Sequence, residues 1–446
     1  AHPGAVAVVR RTSHGIPHVL ARDTRGLAFG MAEAYAEDNA CLLADEILTV
    51  RGERSKFFGA DESVLLSFLR VKNVDSDFFH RSYLQLDALR AEYDRQPADV
   101  RGLFEGYVAG YNHFLSRRAS TVGEACRGRA WLRPMELDDM LRLVAAKSLL
   151  TSAGRFVEAI ATAAPPAAPS GGGSSGGATT GEGTSSTPSG MPQSEEDWAA
   201  ARKRFEPADI SFGSNGVALG RDATDGGSGM LLGNPHFPWE TTNRFYEVHF
   251  QVPGRIDVMG AAIGGFPVVS IGFNRDVAWT HTVSTALRFT PYELELAADD
   301  PTSYVKDGRR RPMDRIEIDI ESKTTNGVAT LHRTMYRAEQ GAILVVPNVM
   351  PWTSAHAYAL RDANASNIRT LELWYEMARA RSVQDVERTL GRVLGIPWVN
   401  TVAADRHGSA FYGDVGAVPN VTAETIGACV KSPTAKAIHQ RIGVPV

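Results

Sequence analysis

Cysteine is scarce in this chain, with only Cys41, Cys126 and Cys429. Three residues exclude a disulfide framework of the kind that holds small secreted domains, and their spacing suits no metal site. An odd count leaves at least one thiol unpaired within the chain, and all three read as buried, small apolar residues. Charge of one sign is also lacking. A net charge of −4 leaves no polybasic footprint, so no nucleic acid partner is expected. Long hydrophobic runs are absent: the most apolar stretch, Val258 to Phe273, is interrupted by Gly264, Gly265 and Pro267. It falls short of the ~20 residues that a membrane helix needs, so no membrane span is expected, and it reads as buried strands joined by a turn. The N-terminal Ala1-His2-Pro3-Gly4 has no charged region followed by an apolar one, so no targeting signal is expected in this sequence. That fits either a cytosolic protein or a mature exported one. Common catalytic motifs are missing as well. There is no G-x-S-x-G elbow, P-loop, H-E-x-x-H or dinucleotide fingerprint.

What is present divides the 446 residues into unlike parts. From Ala161 to Gly190 the chain is Ala, Pro, Gly, Ser and Thr apart from Glu182, with no large apolar residue, so it cannot offset its ordering entropy and is predicted to be flexible. Before it, periodic apolar residues predict helices over Leu27–Val50, Asp99–Leu115 and from Pro134 to Leu150. A short strand, Val6–Arg10, is expected to pair with His18–Ala21. After the flexible stretch comes a polar helix, Glu195–Phe205. Strand-like runs follow at Ile210–Leu219, Met230–Leu232, Tyr246–Val252, Val268–Phe273, Val277–His281, Arg315–Ile320 and Ala329–Tyr336. Helices return at Thr370–Ala380 and Ser382–Leu394, the latter with a Ser N-cap. Val399–Asp405 and Ala410–Tyr412 are again strand-like.

The most informative local feature is Phe212-Gly213-Ser214-Asn215-Gly216, which leads into Val217-Ala218-Leu219. Glycine tolerates strained backbone, which would expose the Gly213 carbonyl to the neighbouring Ser214 hydroxyl. Attack there would turn the amide into an ester, and hydrolysis would free Ser214 as a new N-terminus. A free α-amine titrates near ~7.7–8.0 and can act as a base near neutral pH. One residue would then supply both nucleophile and general base. The competing reading is an ordinary Gly-Ser-Asn-Gly turn. His236 and His281 lie in apolar, strand-like surroundings, where a lone histidine is more often structural than catalytic.

Several segments, in order, resemble the penicillin acylase family, most closely its aculeacin A, cyclic lipopeptide and N-acyl-homoserine lactone acylase branch. They include His14-Gly15-Ile16-Pro17-His18, Glu37-Asp38-Asn39, Gly52-Glu53-Arg54-Ser55 and Gly213-Ser214-Asn215. Gly233 to Trp239, Gly272-Phe273-Asn274-Arg275, Ala278 to Val283, Pro397 to Asn400 and Ala403-Ala404-Asp405 complete the set. The resemblance implies an α+β fold, the αββα sandwich of N-terminal-nucleophile hydrolases. It implies a helical α-chain (1–164), a spacer cut or removed on maturation (165–213) and a sheet-rich β-chain (214–446), together an α/β heterodimer from one precursor. Ser214 falls at the nucleophile, after the processing site at Gly213. His236 falls where a histidine stands near the α-amine, and Val283 where a backbone N–H lines the oxyanion hole. Phe237, Thr282 and Trp398 fall near the acyl pocket, although core packing explains Phe237 and Trp398 equally well.

The implied substrate is a small molecule with an amide between an apolar acyl chain and a polar amine, such as an acyl-homoserine lactone or lipopeptide. No cofactor is implied, and the implied location is periplasmic or secreted. Calcium, bound by some penicillin G acylases, is not expected, because Ser284-Thr285-Ala286-Leu287-Arg288 lacks the acids. By the resemblance the second oxyanion donor is an Asn beyond Val446, so Asn400 is not assigned that role. Cys429 is implied to pair with a cysteine also beyond Val446. The alternatives are a β-lactam acylase of the penicillin G type and an unprocessed, non-catalytic binding module.

Overall fold

The computed structural model describes residues 7–166, 194–205 and 213–446. The first part comprises β1 (Ala7–Arg11), β2 (Pro17–Ala21), α1 (Thr24–Val50), α2 (Arg54–Phe58), β3 (Ser63–Leu66), β4 (Leu69–Lys72), α3 (Asn73–Tyr83), α4 (Leu86–Arg95), α5 (Ala98–Arg118), α6 (Leu137–Ser148) and α7 (Val157–Ala161). Helix α8 (Glu195–Phe205) stands alone between the segments not described. From Ser214 onward come β5 (Ser214–Leu219), β6 (Met230–Pro235), β7 (Phe245–Val252), β8 (Ile256–Ile263), β9 (Ile271–Asn274), β10 (Val277–Val283) and β11 (Phe289–Ala297). They are followed by β12 (Asp300–Lys306), β13 (Arg309–Pro312), β14 (Asp314–Thr324), β15 (Gly327–Ala338), β16 (Gly341–Leu344) and β17 (His356–Asp362). Helices α9 (Thr370–Met377) and α10 (Val383–Val393), strands β18 (Val399–Asp405) and β19 (Ala410–Gly413), and helices α11 (Ala423–Cys429) and α12 (Pro433–Ile442) complete an α+β architecture.

Strands assemble as an eight-stranded sheet, β1-β2-β7-β8-β9-β10-β18-β19, and a seven-stranded sheet, β13-β12-β11-β17-β16-β15-β14. Two hairpins, β3–β4 and β5–β6, form separate two-stranded sheets. The predicted pairing at the N-terminus is present, with Ala7 opposite Ala21. Its strand β2 then runs parallel to β7, placing His18 opposite His249. The helical first half is therefore stitched into the sheet of the second half, and one continuous apolar cluster draws on both. Composition alone does not reveal this sharing, because pairing partners more than 200 residues apart leave no local signal.

The longer predicted helices form with small shifts at their ends. Asp23 caps α1 by accepting from Gly26 N–H at 2.7 Å, and Glu136 and Asp139 form a capping box at the start of α6. Ser382 caps α10 by accepting from Asp385 N–H. The apolar stretch from Val258 forms strands joined by a turn through Gly264 and Gly265, but Phe273 is exposed on it. The expected strand start at Ile210, Val6, and most of the 161–190 stretch lie outside the described residues.

The cysteines are a correction. Cys41 on α1 and Cys126 after α5 form a disulfide with Cα atoms 5.3 Å apart, and Cys429 is exposed. Only Cys126 matches the buried, unbonded reading in its burial, and it is bonded. A single bridge across 85 residues depends on α5 packing along α1, which spacing does not encode.

Two of the quoted motifs prove to be polar joints. Asp77 accepts from the backbone N–H groups of Arg54 and Ser55 at 2.9 and 2.7 Å, fixing the start of α2. Burial pushes its carboxyl pKa up, against those hydrogen bonds. Asp38 accepts from Arg11 at 2.9 Å and from Tyr246 at 2.5 Å, tying β1, α1 and β7 together.

Candidate active site

Hairpin β5–β6 lies across the outer face of β10 and β18, and its inner row is small. Along β5 the exposure alternates, with Ser214, Gly216 and Ala218 turned in and Asn215, Val217 and Leu219 turned out. A Cβ on Gly216 would stand 3.1 Å from both Thr280 Cγ2 and Val402 Cγ2, and one on Gly233 would stand 2.8 Å from Thr280 Oγ1. Side chains at these two positions would lift the hairpin off the sheet. The close approach carries Ser214, paired with Pro235, to the end of β10.

At that end the His236 backbone N–H serves two acceptors. It donates to the Gly213 carbonyl at 3.0 Å and lies 3.3 Å from Ser214 Oγ. The first of these bonds holds the Gly213 carbonyl in place. The His236 imidazole is exposed, and the site of a Cβ on Gly213 would be 3.9 Å from its Nδ1.

Val283 closes β10. Ser284 N–H donates to Trp398 O at 3.1 Å, which makes the Val283–Val399 pair the non-hydrogen-bonded kind of an antiparallel ladder. The Val283 N–H therefore points away from β18, and the β9 ladder on that side has already ended at Trp279. Asn400, opposite Thr282, donates through Nδ2 to Thr282 Oγ1 at 3.0 Å and to Val283 O at 3.3 Å. Its amide thereby fixes the strand end.

A cavity of about 40 Å³ lies here, lined by Ser214, Phe237, Thr282, Val283, Trp398 and neighbouring, mostly apolar groups. Six of the seven residues assigned to the site are thus accounted for around one point: five line the cavity, and Gly213 adjoins Ser214. His236 contributes its backbone N–H. The Phe237 and Trp398 rings stack at 5.7 Å, 12° from parallel, and Phe68 meets Phe237 edge-on at 6.1 Å. Trp398 is a buried core residue, Phe237 packs half-buried against the core, and both rings form part of the cavity wall.

His281 also lines the cavity but is a buried structural group. Trp374 Nε1 donates to its Nε2 at 3.0 Å, so its Nδ1 carries the proton toward Asn400 O at 3.1 Å. Burial lowers its pKa to about 4, keeping it neutral. Sequence reasoning also missed Lys147. Its ammonium is buried with Glu46 at 2.5 Å, Thr242 at 2.7 Å and Asn243 at 2.9 Å, beside a second cavity of about 120 Å³. Trp398 Nε1 donates to its backbone carbonyl at 2.9 Å, which links the two cavities' walls. A lysine inside an apolar helix stripe was the only available signal. In the segment expected to lack calcium-binding acids, the Arg288 guanidinium is buried and pairs with Asp414 at 3.2 Å.

No helix among the described residues is long and apolar enough to cross a membrane. Among the same residues no group of three or more His, Cys, Asp or Glu is placed to hold a metal.

The penicillin amidase family model matches residues 6–439. The acyl-homoserine lactone acylase PvdQ of Pseudomonas fluorescens strain Pf0-1 is 40% identical over 425 residues, covering 95% of this chain and 52% of that protein. The aculeacin-A acylase of Actinoplanes utahensis is 39% identical over 436 residues, covering 96% and 52%. The chain thus spans about half the length of these curated relatives. A thermostable penicillin G acylase structure from Alcaligenes faecalis overlaps at TM-score 0.38 and 20% identity, over 45% of this chain and 34% of that one, too partial to bear on topology. By its match over nearly its whole length and its identity to these acylases, the chain belongs to the penicillin amidase family.

Proposed function

We propose that the chain carries the nucleophile of an amidohydrolase that splits an amide between an apolar acyl chain and a polar amine. The carrying observation is the His236 N–H shared between the Gly213 carbonyl and Ser214 Oγ, beside an apolar cavity. In the uncut chain this donor polarises the Gly213 carbonyl. Ser214 Oγ adds to the carbonyl carbon, the C–N bond breaks, and the nitrogen takes the hydroxyl proton. Water then hydrolyses the ester, leaving a Gly213 carboxylate and a Ser214 α-amine.

The freed amine is the base for turnover. It accepts the Oγ proton as Oγ attacks the substrate carbonyl, and returns a proton to the leaving amine. The Val283 N–H, freed by its register, faces the developing oxyanion, a role in which one donor is worth ~2.7–4 kcal/mol. The His236 side chain orients the amine, and Phe237, Thr282 and Trp398 hold the acyl group. No cofactor enters this chemistry. Residues 1–164 would form the α-chain, 165–213 the spacer and 214–446 β-chain sequence. The helix layer on one face of the eight-stranded sheet and the β5–β6 hairpin on the other support the αββα reading. The Cys41–Cys126 bridge supports an oxidising, periplasmic or secreted location.

The names of the PvdQ relatives favour acyl-homoserine lactones over β-lactams. Replacing Ser214→Ala is expected to abolish chain cleavage and turnover together. Paired assays on a long-chain acyl-homoserine lactone and on penicillin G decide the substrate class, and preference for penicillin G would reverse that assignment.

A further inference from the structure

At Val283 the sheet has little left to hold the chain. Strand β9 stops opposite Ala278 and Trp279, so the last residues of β10 are held along one edge only, by β18. The bond from Ser284 N–H to Trp398 O is the final rung of that ladder, and ends of this kind are where fraying starts. A polar ring takes over there. Ser284 Oγ accepts from Ala286 N–H at 3.2 Å and donates to Asp414 Oδ2 at 2.7 Å. The other oxygen of Asp414, the residue after β19, accepts from Arg288 Nη2 at 3.2 Å. Arg288 Nη1 donates to Ala286 O at 2.6 Å, which closes the ring around the loop from 284 to 288.

The cation in this ring is costly to bury. The Arg288 side chain is 1% exposed, and its Nε has no hydrogen-bond partner among the described residues. Burial works against its charge, and Asp414 offsets that cost. An exposed turn would join β10 to β11 without any buried charge. What the charge secures is the residue next to Val283. We propose that Arg288, acting through Asp414 and Ser284, is a positioning residue for the Val283 N–H, an inference that rests on the proposed role of that N–H as oxyanion donor. The ring keeps the Ser284–Trp398 bond closed, and with it the fixed direction that the ladder gives the Val283 N–H. A donor stabilises developing charge most when it is held in place before the reaction. Binding of the acyl chain depends little on this N–H, so the ring acts on kcat and leaves KM near its parent value. None of its three side chains touches a reacting atom.

Ser284→Ala and Asp414→Asn each open the ring. Ser82→Ala is the comparison, since it removes a buried hydroxyl that donates to Phe78 O at 2.8 Å, away from the site. With decanoyl p-nitroanilide as probe, both ring variants should lower kcat and kcat/KM together by about tenfold. That is short of the roughly 100- to 1,000-fold of losing an oxyanion donor outright. Decylboronic acid, which takes Ser214 Oγ onto boron as a tetrahedral anion, should bind them about tenfold more weakly, while decanoic acid binds as it does to the parent. Amide hydrogen exchange across 277–288, followed without substrate, should quicken about tenfold in the ring variants and not in Ser82→Ala. Unchanged exchange there, a loss carried by KM with kcat intact, or an equal slowing in Ser82→Ala overturns the inference. A parent chain that hydrolyses no amide overturns the proposed function instead, and the exchange measurement still decides whether the ring holds the strand end.

Discussion

On the inner face of the eight-stranded sheet, Val19, Phe250, Val258 and Trp279 are buried large side chains, and on its outer face β10 and β18 meet the glycines of a hairpin. The inner face gains its stability from volume, with each large group close to fully removed from water. The outer face gains its geometry from smallness. Only residues without a Cβ at 216 and 233 let the hairpin settle on Thr280 and bring Ser214 beside Val283. One sheet thus separates the residues that hold the fold from those that place the nucleophile.

Breaking the inner face should produce the largest effect. Trp279 is fully buried, and its Nε1 donates to Ser270 O at 2.9 Å. Trp279→Ala should cost about 3–5 kcal/mol in urea unfolding. A loss below about 1 kcal/mol would mean that this face does not carry the stability assigned to it.

An overpacked outer face should act on function more than on stability. In Gly233→Val the new Cβ meets Thr280 at 2.8–2.9 Å, so the hairpin must shift. A displacement near 1 Å costs about 100-fold in rate. Chain cleavage and hydrolysis are expected to fall by about that factor, and rates within threefold of the parent would remove the hairpin from the argument.

The two histidines read alike in sequence, and they mark where sequence reading stops. Local pattern found α8 from Glu195 to Phe205 and β10 as far as His281, two residues short of its end at Val283. Ordered motifs pointed to Ser214 and Val283, and the structure brings both to one cavity. What stayed hidden depends on distant partners: the Trp374 donor that makes His281 structural, the Glu46 that pairs Lys147, and the bridge between Cys41 and Cys126. Hairpin β3–β4 was missed for a related reason. Its tight turn uses Ser67 and Phe68 at φ 46° and 69° in place of the usual glycine or asparagine.

His281 also gives the smallest predicted effect, on pH dependence. An unfolded histidine takes up a proton near pH 6.5, whereas folded His281 does so only near 4. Between these values the unfolded state binds more protons, so stability is full above pH 6.5 and declines as pH falls toward 4. At pH 5 the contribution is about 2 kcal/mol. The loss of stability between pH 7 and pH 5, from urea midpoints, should shrink by about that amount in His281→Gln. An unchanged loss would show that His281 is charged or solvated in the fold.

The most direct test of the nucleophile assignment is intact mass spectrometry of the purified chain beside its Ser214→Ala variant. The expected result is a fragment beginning at Ser214 with a free amine, absent from a variant that stays in one piece and hydrolyses nothing. The same fragment from the variant, or full hydrolysis by an uncut chain, would contradict Ser214 as nucleophile and base.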